Sequence, residues 1–140
     1  MGSFADSIKA NIKEVKQEVN DKITKVAVDM FRDVVMLSPS QELRDSQWAT
    51  GLLINQWYPK VGSASSELGS QTDQVGLQSM DRIAQLIGSS NFTVKDNSLW
   101  LTNNVPYAYQ AEVIGWYGNG MKTAPYGMVG TALTNAKAKL

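Results

Sequence analysis

Neither cysteine nor histidine occurs anywhere in the 140 residues of this chain. Without cysteine there can be no disulfide, no thiolate metal site and no cysteine nucleophile, and cysteine usage leaves the redox compartment open. The lack of histidine removes the usual general base, the commonest metal ligand and the physiological pH switch. Together the two absences rule out most hydrolase triads and zinc sites. Net charge is missing as well: 13 basic residues balance 13 acidic ones, so no overall field draws the chain toward nucleic acid or anionic lipid. No apolar run approaches the roughly 20 residues that cross a bilayer, and the N-terminus has no hydrophobic signal core. A soluble, cytoplasmically made protein with no membrane contact is the expectation. Its length fits a single domain, 1–140, able to bury roughly two-thirds of the surface that the unfolded chain exposes.

What is present begins with a long periodic stretch. Between positions 4 and 37, Ile8, Ile12, Val15, Val19, Ile23, Val26, Met30, Val34 and Val35 recur at steps of three and four, with Lys9, Lys13, Glu14, Lys16, Glu18, Asp21, Lys22 and Lys25 elsewhere. This spacing predicts one amphipathic helix with all of those apolar residues on a single stripe. At about 1.5 Å per residue it would extend on the order of 45–50 Å, more than one small core needs, so its first turns should project toward a neighbour. A coiled coil competes for the same stripe, but only about three heptads sustain it, and a helix packed on a sheet is preferred. Asp29 and Asp33, four apart, read as a solvated face, because nothing nearby would split their pKa values for catalysis.

Pro39 stops the helix. Residues 47–58, with Trp48, Leu52, Leu53, Ile54, Trp57 and Tyr58, suit a strand closed by Pro59, its aromatics packing in the core. From 60 to 78 the chain turns rich in Gly, Ser, Gln and Thr. That composition predicts a mobile loop, either ordered by assembly or an unused hairpin. Glu67, Gln71 and Asp73 are its candidates for channel or ring-to-ring contact. A short helix at 79–87 should follow, then a hairpin of 91–94 with 98–101 about a tight Asp96-Asn97 turn.

The last stretch, LWLTNNVPYAYQAEVIGWYGNGMKTAPYGMVGTAL, reads as strand end, turn, short helix at 108–114, loop and C-terminal helix. Lys137 and Lys139 near the end of that helix complement its dipole. The whole predicts an α+β fold, with a long N-terminal helix and shorter helices over a small antiparallel sheet.

The spelling of this stretch, LTNNVPYAYQAE followed by a glycine and then APYGMV, resembles the tail-completion or head–tail joining (neck) proteins of long-tailed bacteriophages. The resemblance rests on Asn103 or Asn104, Pro106, Tyr107, Ala108, Glu112, Gly115, Ala124, Pro125, Gly127 and Met128. A second place of resemblance is Leu37-Ser38-Pro39 followed by Leu43-Arg44 and Trp48. Two departures stand out: Gln41 and Glu42 replace a glycine-bearing turn, and Val113 and Ile114 separate Glu112 from Gly115 where the family commonly has one residue.

The resemblance implies a virion structural protein assembled in the bacterial cytoplasm and placed at the head–tail junction. It would be a homo-oligomeric ring, usually a hexamer, meeting the connector or head-closure protein on one face and the tail tube or tail terminator on the other. DNA would pass through the lumen without sequence-specific binding. No catalysis, cofactor or metal is implied. A tail terminator that caps the tube is the nearest alternative; a nucleic-acid-binding module is remote, since no basic stripe appears. Tyr107, Tyr109, Glu112, Trp116 and Tyr117 are candidates for the interface, each with packing inside the subunit as the alternative.

Overall fold

The computed structural model describes residues 3–38, 51–70, 72–87, 98–109, 111–112 and 127–140. Three helices pack against a two-stranded antiparallel sheet, the α+β arrangement expected. In chain order these are α1 (Phe4–Leu37), a 3₁₀ turn (Leu53–Asn55), β1 (Trp57–Val61), α2 (Leu77–Ile87), β2 (Leu99–Asn103) and α3 (Met128–Lys137).

A capping box starts α1: Asp6 N donates to Ser3 Oγ at 3.1 Å, and Ser3 N donates to the Asp6 carboxylate at 3.3 Å. The helix buries itself on a different face from the one its periodicity suggested. Val28, Phe31, Val34 and Val35 enter the core, while Ile8, Ile12, Val15, Val19 and Ile23 stay exposed. At about 100° per residue the mean directions of the two sets are roughly 130° apart around the helix axis: Val35 lies on another face, while Val34 stands at the edge of the N-terminal stripe and Met30, on that stripe, still packs against the core. Only the C-terminal part of α1 therefore belongs to the core, where Met128 and Ala132 of α3 and Ile83 of α2 join it. Lys139 Nζ lies 3.8 Å from Asp29 Oδ2, an exposed pair that adds little.

The strand expected over 47–58 is a correction. Residues 51–55 form a turn and a short 3₁₀ helix, and β1 starts only at Trp57 and continues through Pro59 to Val61. Gly51, with φ +90°, passes so close to the Asp73 carbonyl that a Cβ would overlap it. Asn55 then holds the turn: Nδ2 donates to Gly51 O at 2.7 Å and to Asp73 O at 2.8 Å, and Oδ1 accepts from Gln78 N at 3.1 Å. A side chain competing this well for backbone partners favours a turn over a ladder. Pro59 does not end the strand because, among the described residues, β1 has a partner on one side alone, the edge placement that tolerates a missing N–H.

That partner is β2, in the register Trp57↔Asn103, Pro59↔Leu101 and Val61↔Leu99. Of the hairpin expected for 91–101, the first strand lies outside the described residues, and the second pairs with β1. Trp57, Leu99 and Leu101 face the core; Trp100, between the two leucines, faces out. Trp48 also lies outside the described residues.

Polar side chains run through this core. Trp57 Nε1 donates to Ser38 Oγ at 2.8 Å, which in turn donates to Val34 O at 2.8 Å. Trp57 N donates to Ser79 Oγ at 3.1 Å, and Ser79 Oγ donates to Ile54 O at 2.7 Å. Both serines are fully buried. Replacing Ser79 by Ala leaves the buried Trp57 N–H and Ile54 carbonyl each short of that partner. Ser79→Ala should therefore cost about 1–3 kcal/mol in urea unfolding; a cost near zero would show that the bond is dispensable.

Candidate interaction site

The residues that carried the motif reading gather where β2 leaves the sheet. Asn103 Nδ2 donates to Leu53 O at 2.9 Å while its Oδ1 accepts from Val105 N at 3.1 Å, so one side chain ties the 3₁₀ turn to the corner after β2. Asn104 Nδ2 donates to Ser65 O at 2.8 Å and to Glu67 O at 3.0 Å. Val105 is buried; Pro106 opens the turn on the surface. A helical turn follows, with Ala111 N donating to Tyr107 O at 3.0 Å, which delivers Glu112 to the start of α3.

There the Glu112 carboxylate takes three backbone donors. Oε2 accepts from Met128 N at 2.6 Å and Val129 N at 2.9 Å, and Oε1 accepts from Gly130 N at 3.0 Å. The first N–H groups of a helix have no partners within it and carry the positive end of its dipole, so a carboxylate satisfies both needs at once. Gly127, which precedes α3, offers no capping side chain and sits at φ +81°. A Cβ there would run into the backbone carbonyl and the carboxyl of Glu112. Glu112 caps from a distance because the local position must be glycine.

Among the interface candidates, Glu112 thus has its carboxylate engaged inside the subunit. Tyr107 is half-buried and packs on the core. Tyr109 is 71 % exposed, and Trp116 and Tyr117 lie outside the described residues. The structure brings Tyr107, Tyr109 and Glu112 onto one turn beside α3. Trp100 was overlooked in the sequence: it is 45 % exposed, its indole N–H donating to Ser98 Oγ at 2.9 Å. The alternation Leu99-Trp100-Leu101 was the available signal, since two leucines facing the core turn the tryptophan outward.

The segment expected to be a mobile loop is bound along its length. Besides the Asn104 bonds, Ser65 N donates to Thr102 Oγ1 at 3.3 Å and Gly69 N donates to Gln56 Oε1 at 2.7 Å. Gln56 is fully buried and also accepts from Tyr58 OH at 3.1 Å. Over the Tyr58 ring, at 3.9 Å from its centroid, lies the Arg82 guanidinium, which donates to Asn55 O at 2.6 Å. The polar residues of 60–78 lack apolar anchors, and the Gln56 acceptor just before β1, the Thr102 hydroxyl accepting on β2 and the Asn104 amide donating just after β2 supply the anchoring instead. Glu67 keeps an exposed side chain; Gln71 lies outside the described residues.

Asp73 starts α2 two residues before the expected position. Its Oδ1 accepts from Val75 N at 2.9 Å and Leu77 N at 3.0 Å. Partial burial pushes its pKa up, but the backbone donors of Leu77, Val75 and Gly76 and the Asn55 side chain outweigh that and hold it below the usual carboxylate value. No three His, Cys, Asp or Glu side chains converge to hold a metal ion among the described residues, and no described helix is long and apolar enough to cross a membrane. No protein-family model, curated protein or solved structure matches the chain.

Three outcomes are expected. Gly127→Ala should destabilise the protein by about 2 kcal/mol or more, since it adds backbone strain to a clash with the capping carboxylate. Glu112→Ala should cost about 1–3 kcal/mol, and Glu112→Gln, which keeps the acceptor, less; thermal unfolding of all three orders them. For Asp73, a depressed folded pKa means stability that is present above the unfolded value of about 3.8 and lost as pH falls through the folded one. Asp73→Asn should therefore be less stable than the parent at neutral pH, and the gap should narrow in acid.

Proposed function

We propose that this chain is a virion structural protein of the head–tail junction of a long-tailed bacteriophage, a tail-completion or neck subunit that acts by forming a ring. The observation that carries the reading is the string TNNVPYAYQAE with APYGMV after it. What supports it further is where those residues stand. Asn103 and Asn104 bind the turn before β1 and the chain after it, and Glu112, Gly127 and Met128 meet at the start of α3. A motif whose members depend on one another geometrically is harder to produce by chance than the same letters scattered along a surface.

In this reading the work of the protein is geometric. Identical subunits meet through heterologous surfaces and close by rotation, presenting one face to the connector and the other to the tail. Exposed aromatics beside a rigid helix start suit such contacts, because they offer large area with little side-chain freedom to lose. Tyr109, on the turn beside the start of α3, meets this condition, and Trp100 adds an exposed aromatic on β2.

The test is sedimentation of the purified protein with tails and with DNA-filled heads from the particle whose genome encodes it. The chain should travel with one or both, and Tyr109→Ser should weaken that association at least tenfold with an unchanged melting temperature. Sedimentation with neither would overturn the junction reading. Loss of folding in the variant would place Tyr109 in the structure of the subunit instead.

A further inference from the structure

Five β-branched side chains on one face of α1, namely Ile8, Ile12, Val15, Val19 and Ile23, are each between 41 and 56 % exposed, and Phe4 before them is 83 % exposed. They cannot turn inward by any small adjustment. The core holds α1 through Val28, Phe31, Val34 and Val35, and that face lies roughly 130° away around the helix. The N-terminal half of α1 is therefore a long surface with an apolar seam, fixed in direction by its own C-terminal half.

We propose that this seam joins α1 of further copies of the same chain, as a parallel, in-register bundle of three or more helices. The proposal concerns the free protein before it meets any partner. It rests only on the homo-oligomeric part of the ring reading, independently of a place in a virion, and describes the free protein alone, since helices joined on the axis fill the lumen that the ring leaves for DNA.

Spacing is the first argument. Ile8, Ile12, Val15 and Val19 follow at four, three and four, the step pattern of alternating d and a positions, with Val26 at a later a position. Lys22 takes the d position between Val19 and Val26, so the seam weakens just before α1 enters its own subunit at Val28. β-branched residues at both a and d favour three or four strands over two. Area agrees: the five side chains expose on the order of 450 Å² per copy, so a simple pair would bury at most about 900 Å² of them, short of the roughly 1,000 Å² minimum of a specific interface. In a bundle each helix meets two neighbours.

Charge decides direction. With the seam so assigned, the e positions hold Lys9, Lys16 and Ile23 and the g positions hold Phe4, Asn11, Glu18 and Lys25. A parallel bundle sets each g position beside the e position five residues on in the neighbour, giving Phe4 with Lys9, Asn11 with Lys16 and Glu18 with Ile23. At these flanking positions no like charges meet, and the Lys22 side chains, which share the last layer of the seam in every copy, lie at its end where their ammonium groups reach water. An antiparallel pair would set Lys9 of one copy beside Lys16 of the other, twice. A cyclic ring also requires every copy to point the same way at the same height, which parallel, in-register helices satisfy.

Light scattering over a range of concentration tests the proposal, aided by the absence of native cysteine. The parent protein should rise to at least three times the 15.3 kDa of one chain, and Val15→Lys should return it to that mass with an unchanged melting temperature. Ile8→Cys and Val19→Cys should each cross-link to itself on mild oxidation. A parent that stays monomeric, a Val15→Lys that keeps its mass or loses its fold, or cross-links formed only when the two cysteine variants are mixed would each overturn the bundle. Association through α1 by a protein that binds neither heads nor tails overturns the junction reading alone.

Discussion

The indole N–H of Trp57 is buried and needs a partner, and it finds Ser38 at the end of α1. Much of the fold follows from that bond. Ser38 can accept from the indole because its hydroxyl proton is directed to Val34 O, which places the last turn of α1 against β1. On the other side the Trp57 backbone N–H reaches Ser79 and, through it, Ile54, so α2 and the 3₁₀ turn are located by the same residue. In an interior of low dielectric each of these bonds is costly to lose, so the network sets one arrangement of four elements where apolar packing alone would accept several.

The C-terminal part of the chain closes onto this frame by electrostatics of a simpler kind. Helix α3 begins at a glycine that cannot cap it, and Glu112 supplies the missing acceptors from across the turn. The consequence reaches function. With α3 seated on α1 through Met128 and Ala132, the turn carrying Tyr109 is held beside a rigid helix start, while the apolar seam of the first half of α1 stays exposed. The described residues thus divide into a packed body and a projecting helix with an exposed apolar seam.

Several features were legible in the residues themselves. The length and amphipathic character of α1, the stop at Ser38-Pro39, α2 and α3 all follow from periodicity and breakers, because a helix is made of contacts three and four residues apart. The reading of Trp57 and Tyr58 as core aromatics also holds. Other readings failed for physical reasons that particular residues make plain. Residues 51–55 resemble a strand in their apolar content, but Asn55 finds partners at Gly51, Asp73 and Gln78 that only the folded chain brings near. The polar stretch 60–78 looked free because its anchors, Gln56, Thr102 and Asn104, are distant in sequence. Glu112 read as an interface candidate for the same reason.

The sequence by itself determined the class of the fold, the long helix and the residues of the motif, since local spacing and backbone chemistry suffice for each. Tertiary structure alone decided which face of α1 is buried. A helix with apolar residues on more than one face can pack by either, and the choice falls to the partner: Ser38, Val34 and Val35 turn toward Trp57 and Ile54, and the regular N-terminal stripe is left outside. It also decided what Glu112 does, because the donors that a carboxylate meets depend on a helix start sixteen residues further along the chain.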